Sequence, residues 1–231
     1  MITVFFFDID NTLINHDEAE KKAIIMTLVK FGLTIDNNTL NVWREISEEY
    51  YGKYIQGFYS FEEQGIKRVE ELCKRIGISN TKKYNDFFNY YLQEYEKSWI
   101  LYEDVIPVLN DLSKKNRLGI ISNGDKKHQI RKLEVMKIIH FFEKIIISSE
   151  IGFSKPNEII FKKACELANV KVNDCTYVGD NFHVDVLGSK NAGFKAIYLN
   201  RNNKKINTTT QEKTIGNLHE IMEHTGLNTI K

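Results

Sequence analysis

Short, nearly continuous apolar runs alternate with longer segments of helical period along most of this chain. The runs are residues 2–7 (ITVFFF), 117–121 (RLGII), 144–148 (KIIIS), 175–179 (CTYVG) and 195–199 (KAIYL). Each has the length of a strand and lacks polar alternation, as parallel strands covered by helices on both faces do. Between them lie helical patterns of crossover length at 103–115, 126–138, 156–168 and 184–193. The alternation predicts an α/β fold with a doubly wound parallel sheet. The polar stretch 202–213 reads as a loop.

Residues 15–98 break the alternation and read as wholly helical. The segment 18–32 ends in Gly32 as a C-cap, 39–54 follows, 60–77 opens on a capping box of Ser60 and Glu63 and closes at Gly77, and 82–99 completes the set. Four helices between the first strand and the second predict an all-helical domain, 15–98, inserted into an α/β core made of 1–14 and 99–231.

Composition narrows the classes of partner. Of 231 residues, 42% are hydrophobic and 27% charged, with a net charge of +1. Lysines are interspersed with glutamates, so no nucleic-acid footprint is expected, and no apolar run reaches the roughly 18 residues of a membrane span. Three widely spaced cysteines, Cys73, Cys165 and Cys175, lack the spacing of a zinc site or a disulfide framework. The N-terminus enters a strand pattern at once, without a basic and apolar leader, which sets the expectation of a cytoplasmic protein, monomer or homodimer.

Candidate chemistry collects after the strands, where loops and helix N-termini of an open α/β sheet converge. The first strand is followed by Asp8, Asp10 and Thr12, the second by Ser122 and Asn123, the third by Lys155, and the fourth by Asp180 and Asp185. Carboxylates at Asp8 and Asp180 repel each other unless a hard cation lies between them, and oxygen-only ligation suits Mg²⁺. Ser122 and the backbone N–H groups opening the next helix can donate to a phosphate, and Lys155 supplies positive charge. Asp8 is placed to attack phosphorus, and Asp10 to protonate the departing alkoxide and later take a proton from water.

With these motifs in order, DIDNT, ISN, SKP and GDNFHVD, the sequence resembles the haloacid dehalogenase-like (HAD) superfamily of hydrolases over essentially its whole length. The resemblance implies a Rossmann-like core with the DIDNT strand central and an inserted α-helical cap. It implies Asp8 as nucleophile, Asp10 as general acid/base and, through its backbone carbonyl, a metal ligand, Asp180 as metal ligand, and Asp185 and Thr12 in support. Ser122, Asn123 and Lys155 would bind the phosphate. Asn11 stands where the family often has glycine.

The acid at Asp10 also separates branches, because a halide leaving group needs no proton whereas an alkoxide does. The expected activity is therefore Mg²⁺-dependent hydrolysis of a small phosphorylated metabolite, of sugar-phosphate or 5'-nucleotidase type. A phosphosugar mutase, a 2-haloacid dehalogenase and a phosphoacceptor or ligand-binding regulatory protein are the alternatives. Candidates for substrate specificity are Asn15 and His16, then Trp43, Arg44 and Tyr54 in the helical insertion; at helical spacing the aromatics also suit a core.

Overall fold

The computed structural model describes residues 3–77, 83–203 and 212–224. The chain divides into two compact units, one of Met1–Asn15 with Leu101–Lys231 and one of His16–Ile100. Among the described residues no helix is long and apolar enough to cross a membrane.

The first unit holds six parallel strands, β1 (Val4–Phe7), β2 (Arg117–Ser122), β3 (Lys144–Ile147), β4 (Cys175–Gly179), β5 (Lys195–Leu199) and β6 (Lys213–Ile215), in the order β3-β2-β1-β4-β5-β6. The order runs outward from β1 in both directions, so the crevice at the C-terminal end of β1 is the switch point of the sheet. All four residues of β1 are buried, which is why the run has no polar member. Phe7 pairs with Ile120 of β2 and with Val178 of β4, so the residues following these strands emerge along one edge.

The polar run 202–213 reads as a loop, yet Lys213 opens β6. Two of its three residues are exposed, and so short an edge strand leaves no apolar signal in the sequence. Residues 204–211 of that run lie outside the described residues.

Residues 16–100 form the helical unit, with α1 (His16–Lys30), α2 (Asn37–Ile55), α3 (Phe61–Arg75) and α4 (Tyr84–Lys97). In α1 the buried residues Ala19, Ala23, Ile24, Thr27 and Leu28 trace one helical face, Asp17 and Glu18 occupy the first turn, and Lys30 the last. Asp36 caps α2 by accepting from the Thr39 N–H at 2.7 Å, and Ser60 and Glu63 form the expected capping box on α3. Gly65 lets α3 approach α4 closely, because the Phe88 ring occupies the space a Cβ would need.

The sheet unit adds α5 (Val105–Ser113), α6 (Lys126–Val135), α7 (Ser148–Ile151), α8 (Glu158–Ala168), α9 (Gly188–Asn191) and α10 (His219–His224). The segment 184–193 carries one helical pattern but folds as a π-helical turn over Phe182–Leu187 running into α9. On one side of the sheet, Val4, Phe6, Ile121, Ile146 and Tyr177 pack with Ile160, Phe161 and Ala164 of α8. Cys165 and Cys175 meet in this core with sulfurs 3.7 Å apart, and all three cysteines are free thiols.

Candidate active site

Asp8 follows β1 directly, and its N–H donates to the Val178 carbonyl at 3.0 Å, continuing the ladder into the site. The chain then turns: the Leu13 and Ile14 N–H groups both donate to the Ile9 carbonyl, at 2.9 and 3.0 Å. Asn11 sits at φ +56°, a left-handed conformation that asparagine tolerates better than most residues and that glycine adopts freely.

Lys155 stands at the centre. Its Nζ donates to Asp8 Oδ1, to Asp185 Oδ1 and to the Tyr177 hydroxyl, each at 2.7 Å, which uses all three ammonium hydrogens. The second oxygen of Asp185 accepts from the Asn181 N–H at 3.0 Å. Asp185 reaches this position over Gly179, where a Cβ would lie 2.5 Å from its carboxyl carbon.

Carboxylate oxygens of Asp8, Asp180 and Asp185 lie within 4.8 Å of one another, with Asp8 and Asp185 buried and Asp180 half-buried. Within the cluster, Asp8 and Asp185 share the one ammonium of Lys155. Burial, opposed by Lys155 but reinforced by the charges of Asp185 and Asp10, pushes the Asp8 carboxyl up from its ordinary 3.8 to about 6. Burial works against the Lys155 ammonium, but the Asp185 and Asp8 carboxylates outweigh it and hold its pKa above the ordinary lysine value.

Asp10 points elsewhere. Its Oδ1 accepts from Lys132 Nζ at 2.6 Å and its Oδ2 from the Gln129 amide at 3.1 Å, both on α6. The same amide reaches Ser122 Oγ and the Asn123 carbonyl, each at 3.0 Å, so Gln129 ties the Asp10 turn to the end of β2.

Several residues sit differently from their sequence assignments. The side chain of Asn123 does not face a phosphate site: its Nδ2 donates to the Lys155 carbonyl at 2.9 Å and its Oδ1 accepts from the Lys155 N–H at 2.7 Å. Both of its polar ends are spent holding the backbone of Lys155. Backbone donors at the start of α6 are also engaged, Gly124 by Ser148 Oγ and Lys126 by Ser149 Oγ at 2.9 Å each, and His128 by the cap Asp125 at 2.9 Å. Thr12 braces its loop through its carbonyl, which accepts from Arg201 at 2.9 Å, while its buried hydroxyl makes no hydrogen bond. Arg201 in turn forms a two-pronged ion pair with Asp104, at 2.8 and 2.9 Å.

The sequence reading missed Gln129, Lys132 and Tyr177. Gln129 and Lys132 are three apart on the helix leaving the Ser122 strand and so share a face, while Tyr177 is a hydroxyl-bearing residue inside an apolar strand.

The specificity candidates belong to two settings. Asn15 is half-buried directly before α1. In the helical unit His16 Nδ1 lies 2.6 Å from the Tyr95 hydroxyl, Arg44 is exposed, and Tyr54 packs edge-on to Phe61. Trp43 is fully buried against Tyr91, with the Arg68 guanidinium 4.5 Å above its ring. Arg68 pairs with Glu20 at 2.7 Å and donates to the Ser47 hydroxyl. Trp43 is therefore part of a packed interior and is not presented at a surface.

Residues 5–199 match the haloacid dehalogenase-like hydrolase family. The chain is 31% identical over 217 residues to a glyceraldehyde 3-phosphate phosphatase of Methanopyrus kandleri, covering 87% of this chain and 85% of that protein. It is 25% identical to the pyrimidine 5'-nucleotidase YjjG of Escherichia coli, covering 94% of each. The fold matches that of the HAD-hydrolase YfnB of Bacillus subtilis, solved bound to magnesium, with a TM-score of 0.85 at 21% identity over 97% of this chain and 99% of that one. The chain belongs to the haloacid dehalogenase-like hydrolases.

Proposed function

We propose that this protein is a phosphoric monoester hydrolase that works through an aspartyl phosphate on Asp8, with Mg²⁺ as cofactor and a small phosphorylated metabolite as substrate. The observation that carries this reading is the pair Asp8 and Asp10, two residues apart where the central strand ends, with their carboxylates held by different lysines. One acid can attack while the other handles the proton. The sugar-phosphate and nucleotide phosphatases among the relatives support the substrate class. Residues 16–100 are read as the family's inserted cap.

The donor set fits a hard divalent cation. Three carboxylates offer oxygen ligands within 4.8 Å of one another, and two of them, Asp8 and Asp185, share a single ammonium. Asp8 and Asp180 would hold the ion, with the Asp10 carbonyl and Asp185 beside them. Bound there, Mg²⁺ would offset the charge of the phosphoryl oxygens.

The protein's own groups then do the following. Asp8 Oδ forms a bond to phosphorus as the bond from phosphorus to the ester oxygen breaks, and Asp10 gives its proton to that oxygen. Water next attacks the phosphoaspartate, Asp10 takes the water's proton, and phosphate leaves with Asp8 restored. Lys155, giving up one of its present acceptors, and the Ser122 hydroxyl hold the phosphoryl oxygens.

A screen of the purified protein with Mg²⁺ tests the reading. The panel comprises triose and hexose phosphates, pyrimidine and purine nucleoside monophosphates, phosphoglycolate and a 2-haloacid, assayed for phosphate and halide. Phosphate release from a subset is expected. Halide release without phosphate release would make the chain a dehalogenase, and a lasting phosphoprotein with acetyl phosphate but no turnover would make it a phosphoacceptor.

A further inference from the structure

Resting on the acid/base reading of Asp10, we propose that Lys132 is a positioning residue that orients the Asp10 carboxylate for proton transfer, with Gln129 as the second point of attachment. Lys132 is only 4% exposed. A lysine is rarely buried so far unless a partner offsets the lost hydration, and here its Nζ meets Asp10 Oδ1 at 2.6 Å. Gln129, 3% exposed, holds the other oxygen at 3.1 Å. Each oxygen of Asp10 thus has its own donor, and both donors come from one face of α6.

The arm that carries them is anchored. Asp125 caps α6, Ser148 and Ser149 hold the chain at and before its first turn, and the Gln129 amide also contacts Ser122 Oγ. Asp10, by contrast, lies in a turn with two rotatable side-chain bonds. A carboxyl that must come within about 2.6–3.2 Å of a leaving oxygen needs its direction fixed, and two donors on a rigid helix fix it. Lys132 touches the acid, and on this reading it acts through Asp10.

The test is the ratio of kcat/KM for propyl phosphate, whose alkoxide needs a proton to leave, to that for p-nitrophenyl phosphate, whose phenolate does not. Because both substrates are read on the same preparation, the ratio cancels any loss of folded protein. Lys132→Met and the polar alternative Lys132→Gln should lower the ratio about 10-fold or more, Lys132→Arg should return it to within about 3-fold, and Asp10→Asn should set the floor, roughly 10²-fold down. If Asp10→Asn lowers the ratio and both neutral Lys132 variants leave it unchanged, the positioning role is wrong and the acid stands. If Asp10→Asn leaves the ratio unchanged, the acid reading fails and the proposal with it.

Discussion

In the sheet unit one ammonium, Lys155, faces the buried carboxylates of Asp8 and Asp185 with Asp180 close by. In the helical unit one guanidinium, Arg68, faces one carboxylate, Glu20. Both networks are buried and both recruit a tyrosine, Tyr177 in the first and Tyr91 in the second. They differ in charge balance. Around Arg68 the charges cancel, its Nη2 also donates to the Ser47 hydroxyl, and the guanidinium lies over two aromatic rings, Trp43 and Tyr91. Around Lys155 negative charge is left over. Burial opposes both acids, yet Glu20 is held below its ordinary value by Arg68, while Asp8 rises to about 6. A balanced network is a fastener; an unbalanced one is open to a cation and an electrophile.

The sharpest way to break this contrast is to neutralise one acid in each. Asp8→Asn should lower phosphate release from p-nitrophenyl phosphate by at least about 10⁴-fold, and Glu20→Gln by less than about 3-fold. Wild-type turnover in Asp8→Asn would remove the nucleophile. Next in size is the metal: EDTA should lower turnover by about 10³-fold, and added Mg²⁺ should restore it, since three oxygen donors stand within reach of one ion. Activity that survives EDTA would refute the cation.

Stability should respond in the opposite sense. Arg68→Met strands a buried carboxylate and should cost about 3–5 kcal/mol in urea denaturation, most of it recovered when Glu20→Leu is added. If the double variant is no more stable than the single one, the pair is not a closed unit.

The smallest effect is in pH, and its sign differs between the two. A carboxyl raised from 3.8 to about 6 binds protons more readily folded than unfolded, so in metal-free protein Asp8 takes stability away as pH climbs between these values, by at most about 3 kcal/mol. Asp8→Asn should therefore stabilise the metal-free protein more at pH 7 than at pH 4. Glu20, held low, contributes stability above its ordinary 4.5 that is lost as pH falls. Glu20→Gln should thus cost more near neutrality than in acid, as thermal melts in EDTA at pH 7 and pH 4 would read out.

The five longer strands and the placement of the candidate residues at their ends were legible because both are local: an apolar run followed by a polar residue marks where each buried strand ends. What a side chain meets across the fold was not. Asn123 follows its strand just as Ser122 does, and only the approach of the Lys155 backbone turns it from a ligand for phosphate into a brace. Lys132 reads as one of many helix lysines until α6 lies against the Asp10 turn, 122 residues away in sequence. Asp104 and Arg201 carry no motif at all. Their partnership spans 97 residues.

The position of β1 has a consequence for assembly. Val4–Phe7 is made before either of its two neighbours, β2, beginning at Arg117, and β4, beginning at Cys175. The intervening residues 16–100 are rich in local helical contacts, which form early, whereas pairing across more than a hundred residues must await the closure of long loops. The strand that carries Asp8 is thus written well before its partners and is among the last to be housed. Until β2 emerges, VFFF travels on the nascent chain as an unpaired, strongly β-prone segment, and until β4 emerges one of its edges stays open, the kind of segment that chaperones shield.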